Sequence, residues 1–99
     1  MACKLRNEYL ISYDVEDNKI RKKIFNELEK IGMRSVQKSV FWGFLTKAEL
    51  TSVHRFIKQN LSKDDKTLIT HTNFNGTGHS FLIGHDPHDF QDWEETSVI

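Results

Sequence analysis

From Met33 to Glu49 the chain reads MRSVQKSVFWGFLTKAE. The part up to Leu45 is rich in β-branched and aromatic residues, the composition of a strand. It reads either as one long strand or as a tight hairpin turning near Gln37 and Lys38. Ser39, Phe41 and Gly43 fall on one face, and Val40, Trp42 and Phe44 on the other. Both faces are bulky, which suits a sheet covered on both sides. The stretch TKAE then predicts a capping box from Thr46 to Glu49, with Leu45 and Leu50 as the hydrophobic staple.

Working outward, residues 8–15 alternate as a strand, with Tyr9, Ile11, Tyr13 and Val15 facing one way and Leu10, Ser12 and Asp14 the other. Asp17 is the expected N-cap of a helix whose apolar stripe is Ile20, Ile24, Leu28 and Ile31, closed by Gly32. Lys19, Lys22, Lys23 and Lys30 lie on its opposite side. Arg21 falls at the stripe's edge, where its stem can cover the core with its head in solvent, or its charge can approach Asp14. Downstream, Leu50, Val53, Ile57 and Leu61 stripe a second helix, Asp64 and Asp65 mark a turn, and KTLITHTNF is a further strand.

This order is the β-α-β-β-α-β plan of an α+β ferredoxin-like sandwich. Helices cover only one face of such a sheet. A second copy is the simplest cover for the other, giving a homodimer through the sheet faces. We place this domain over residues 1–78. Residues 79–99 hold a short run, SFLI, able to extend either its own sheet or a partner's as a C-terminal edge strand. An acidic tail follows, with Phe90 and Trp93 as aromatic anchors.

The chain has 99 residues, one domain's length, and is 37% hydrophobic, a globular composition. No apolar run approaches the ~18 residues of a membrane span, and MACKLRNEYL lacks the apolar segment of a secretory signal. The single cysteine, Cys3, rules out an internal disulfide and fits a reducing cytoplasm. The formal net charge is zero, but the distribution is uneven. All 14 Lys and Arg lie between Lys4 and Lys66, against nine acids there; from Thr67 onward there is no Lys or Arg, and there are five acids. A basic body of this kind suits a polyanionic partner.

Asp14 shares a face with Leu10 and Ser12, pointing away from the helices. Across a twofold axis, two copies could form the pair of carboxylates that a magnesium ion accepts while keeping several waters. The ordinary reading is a turn former or cap. His79, His85 and His88, with Asp86 and Asp89, are ligand types without the spacing of a zinc motif, so a loop is expected there. NGTGHS lacks a following helix to bind phosphate and reads as a turn. Cys3 has no fixed partner, and no Ser-His-Asp spacing is present.

The Tyr13-Asp14 pair closing the first strand, the basic helix after it, and Gln37-Lys38-Ser39-Val40-Phe41 together resemble the small CRISPR-associated Cas2 adaptation family. The resemblance runs from about Tyr9 to Phe74. It implies a ferredoxin-like homodimer that partners the CRISPR integrase, holds spacer-precursor DNA, and in some members cuts RNA or DNA with magnesium or manganese. On this resemblance the candidate catalytic residues are Tyr13, Asp14, Arg21, Ser39 and Phe41, with Asp14 the metal ligand. Nucleic acid would meet Lys19, Arg21, Lys22, Lys23, Arg34 and Lys38. Two departures stand out. Lys23 occupies a position that is often arginine, and a lysine cannot make a bidentate phosphate fork. Arg34 lies one place before the usual arginine, and Ser35 stands where that arginine would be; a shift of one residue reverses a strand's face.

The expected activity is therefore a metal-dependent endonuclease in CRISPR adaptation. The alternatives are a non-catalytic DNA scaffold for the integrase and a toxin-like ribonuclease of the virulence-associated family sharing the fold. The acidic tail would dock on the integrase or shield the basic face.

Overall fold

Helix capping sets the frame. In the computed structural model, which describes residues 5–74, 81–86 and 90, Asp17 accepts hydrogen bonds from the Lys19 and Ile20 amides at 2.8 and 3.1 Å. This cap opens α1 (Asn18–Lys30). The helix ends in a Schellman turn: Met33 N donates to the Leu28 carbonyl and Gly32 N to that of Glu29, with Gly32 at φ +95°. Only glycine takes that backbone without strain. The predicted capping box is present at the second helix, α2 (Lys47–Asn60), with reciprocal bonds between Thr46 and Glu49 at 2.8 and 3.1 Å.

The strands are β1 (Arg6–Asp14), β2 (Arg34–Gln37), β3 (Val40–Thr46) and β4 (Lys66–His71). They form an antiparallel sheet in the order β2-β3-β1-β4, with the two connecting helices in the β-α-β-β-α-β sequence expected. Of the two readings of Met33–Leu45, the hairpin is correct. It turns at Lys38 and Ser39, and Ser39 adopts φ 58°. Ser39 is thus a turn residue, which corrects its placement on a strand face with Phe41 and Gly43. A left-handed backbone takes it out of the alternation.

The core lies between the helices and one sheet face. Ile11, Tyr13 and Val15 from the first strand and its exit pack with Phe41 and Leu45 of β3, and with Ile24, Leu28, Val53 and Ile57 of the helices. A Cβ on Gly43 would sit 3.1 Å from the Met33 Cα. The absence of a side chain there lets the chain leading into β2 lie against β3.

The opposite sheet face divides in two. Trp42 is only 1% exposed, and the chain's own Phe90 packs against it. At the other end Leu68 is 58% exposed. At the Trp42 end the chain's own Phe90 supplies part of the cover expected from a second copy. Phe81, Leu82 and Ile83 do not pair with this sheet; Phe81 and Ile83 are almost fully exposed. Among the described residues the sheet has four strands, so the extra edge strand is absent from the chain's own sheet, and Ser80 lies outside the described residues. Trp93, Cys3, His79, His88 and Asp89 lie outside them too. No helix among the described residues is long and apolar enough to cross a membrane.

Candidate functional site

Asp14 is the last residue of β1 and is exposed. It lies opposite Lys66 of β4, a cation that sequence reasoning passes over because only the strand register reveals it. The backbone around Asp14 is fixed from several sides. Tyr13 N donates to the Ser39 carbonyl at 3.0 Å. Arg21 Nη1 donates to the Val15 carbonyl at 2.7 Å, and its Nη2 to Asn18 Oδ1. Glu16 N donates to Asp65 Oδ1 at 3.4 Å, while the other oxygen of Asp65 accepts from Ser62 N at 2.9 Å. The sequence marks Asp65 only as a turn residue; its tie to a loop far away in the chain needs the fold to be seen.

Arg21 stands beside the exit of β1. Its half-buried guanidinium grips the carbonyl of the loop just after Asp14. Its charge also reaches the neighbouring Tyr13. Burial raises the Tyr13 hydroxyl above its ordinary pKa of 10.0, because a tyrosinate would lose its hydration, and the Arg21 charge partly offsets this.

Tyr13 and Phe41 both point into the core, 4% and 0% exposed. Their rings stack at 6.3 Å, and Phe25 meets Phe41 edge-on at 5.1 Å. Both candidate catalytic aromatics, Tyr13 and Phe41, thus stand in the core rather than on the surface. The role of Phe41 here is to support Tyr13, and through it the end of β1. Ser39 contributes its carbonyl to the same support.

Lys19, Lys22 and Lys23 are exposed on α1 as expected, and Lys23 Nζ reaches Asn60 Oδ1 at 3.3 Å. Lys38 is exposed in the hairpin turn, whose next residue bonds to Tyr13. Arg34 is half-buried and lies opposite Trp42 in the register, which places it on the sheet face away from the helices. These cations do not form one patch. The α1 lysines sit on the helical layer, Lys38 and Lys66 lie near Asp14, and Arg34 lies across the sheet.

An exposed carboxylate is a hard oxygen donor, the type magnesium or manganese prefers. The described residues hold no group of three or more His, Cys, Asp or Glu able to bind a metal. An ion at this place would take Asp14 as one ligand and the rest of its shell from water or another molecule.

Sequence reasoning also misses Glu8. It is buried on the same strand face as Asp14, at the opposite end of β1. Its Oε2 accepts from Trp42 Nε1 at 3.0 Å, Thr72 Oγ1 at 2.7 Å and Phe74 N at 3.0 Å. An acid sharing its strand face with Leu10, opposite the face of Ile11 and Tyr13, was the only available signal.

Comparisons with known proteins agree with this geometry. The family model for CRISPR associated protein Cas2 matches residues 7–76. A protein of Francisella tularensis subsp. novicida (strain U112), named CRISPR-associated endoribonuclease Cas2 1, is 44% identical over 95 residues, covering 96% of this chain and 98% of the relative. A protein of the same name from Methanospirillum hungatei JF-1 is 41% identical over 54 residues, covering 54% and 57%. Among solved structures, a hypothetical protein from Thermus thermophilus superposes with a TM-score of 0.69 at 27% identity, covering 81% of this chain and 93% of its own. A chain of a partial Cas6-RT-Cas1–Cas2 complex gives 0.59 at 35% identity, covering 82% and 94%. Together with the βαββαβ fold and the aspartate closing the first strand, these matches lead to one conclusion: the chain belongs to the CRISPR-associated protein Cas2 family.

Proposed function

We propose that the protein acts in CRISPR adaptation as a homodimer that holds spacer-precursor DNA beside its integrase partner, and that it cleaves phosphodiester bonds, of RNA or DNA, at paired Asp14 carboxylates. The observation that carries this reading is the position of Asp14. It is exposed, on the sheet face away from the helices, at the end where Leu68 is also exposed. A copy related by a twofold axis would bring a second carboxylate to the same place. The names of the relatives support nuclease chemistry. The structural neighbour from the Cas6-RT-Cas1–Cas2 complex supports an integrase partner.

When bound, magnesium or manganese polarises a phosphodiester and lowers the pKa of its water. The chain's own residues do the rest. Asp14 would hold the ion. Arg21 and Asp65 fix the Val15–Glu16 backbone, so the carboxylate does not wander. Lys66 and Lys38 place positive charge near the scissile phosphate, and Lys19, Lys22 and Lys23 attract the backbone further out.

The test is metal-dependent cutting of single-stranded RNA and double-stranded DNA by Asp14→Asn. The expected result is loss of cutting with the dimer and fold retained; wild-type cutting rates would refute catalysis at this site. A second reading, in which the dimer only scaffolds DNA, is favoured by Arg21, whose fork is engaged with the loop rather than aimed outward at phosphate. In that case Asp14→Asn leaves spacer capture intact, while charge reversal at Lys19, Lys22 and Lys23 weakens DNA binding and flattens its salt dependence.

A further inference from the structure

We propose that Glu8 builds an intramolecular seat for an aromatic side chain, and that Phe90 is its occupant, so that the chain at Phe90 is tethered to one end of its own sheet. Burying a carboxylate is unfavourable unless donors surround it. Here the donors converge on a single oxygen, Oε2, from β3 through the Trp42 indole and from the exit of β4 through Thr72 and Phe74. The Thr72 amide also donates to the Glu8 carbonyl at 3.0 Å. These bonds fix both the indole and the start of the chain beyond β4.

The rings so fixed surround Phe90. Its ring centroid lies 5.2 Å from Trp42, 4.9 Å from Phe74 and 5.4 Å from His85, in tilted and edge-on arrangements that aromatic pairs favour. Phe90 is 4% exposed. By contrast Phe81 and Ile83, in the same segment, are turned to solvent. Among the described residues 81–86 and 90 this burial centres on Phe90, and it depends on a residue more than eighty positions earlier in the chain. The proposal is independent of the metal chemistry at Asp14.

The test uses the full-length chain with Trp93→Phe, so that fluorescence reports Trp42 alone. Acrylamide quenching of Trp42 is compared for the parent, Glu8→Ala, Glu8→Gln and Phe90→Ala. Emptying the seat with Phe90→Ala raises the quenching constant severalfold, and Glu8→Ala does the same. Glu8→Gln, which keeps a carbonyl acceptor, lies between Glu8→Ala and the parent. Far-ultraviolet circular dichroism checks that each variant is folded. If Glu8→Ala does not fold, Glu8→Gln and Phe90→Ala carry the test. Quenching of Trp42 unchanged by Phe90→Ala, or by both Glu8 variants that fold, overturns the proposal.

Discussion

The two ends of one sheet face are built on opposite principles. Around Glu8 the face is closed: a carboxylate gathers donors, Trp42 is buried, and Phe90 lies over it. Arg6 adds its guanidinium over the Phe44 ring at 5.6 Å. Around Asp14 the face is open: the carboxylate is exposed, Leu68 is uncovered, and the nearby bonds hold backbone rather than side chain. Two carboxylates on one face of a single strand thus have opposite surroundings: Glu8 is buried among donors, and Asp14 is exposed.

This contrast can be broken most forcefully at Trp42. Trp42→Ala removes a buried indole, and we expect a loss of about 3–5 kcal/mol, measured by urea denaturation. A loss below ~1 kcal/mol would show that the closed end does not bear on stability. At the open end Leu68→Lys should leave the protomer's stability within about 0.5 kcal/mol. It should weaken self-association at least about tenfold, read by sedimentation equilibrium. An unaltered dimer would mean that the open end is not where copies meet. The smallest effect is expected at Ser39→Gly. Relief of the left-handed backbone, roughly 1–2 kcal/mol, is partly offset by the greater freedom of glycine in the unfolded chain. Thermal unfolding should show a net gain of about 0.5–1 kcal/mol, with no change in Trp42 quenching.

Much of the fold was legible in the sequence because local signals agreed. Asp17, Gly32, Thr46 and Glu49 occupy capping positions whose chemistry is determined within a few residues. The apolar stripes of both helices were equally plain, since burial on one side imposes their period. The alternation along β1 placed Asp14 correctly on the face away from the helices. Contacts between distant parts of the chain were not legible. Glu8 and Thr72 are 64 positions apart, and no local rule pairs them. Arg21 could be placed at the edge of a stripe, but its partner is a backbone carbonyl, which every residue carries. Ser39 misled because a strand pattern was extended through a turn, and a serine at positive φ gives no warning of itself. The burial of Phe41 was not legible either, because a motif names a residue without saying which side of the sheet its ring fills.

Asp65 has a consequence for how this architecture tolerates change. Connections between helices and strands ordinarily accept insertions with little penalty. The α2–β4 connection is different, because one carboxylate bridges Ser62 and Glu16, which is 49 positions from Asp65. Lengthening that connection would loosen the loop beside Asp14 without altering any residue there. Natural or engineered length variation should therefore be accommodated elsewhere in the chain.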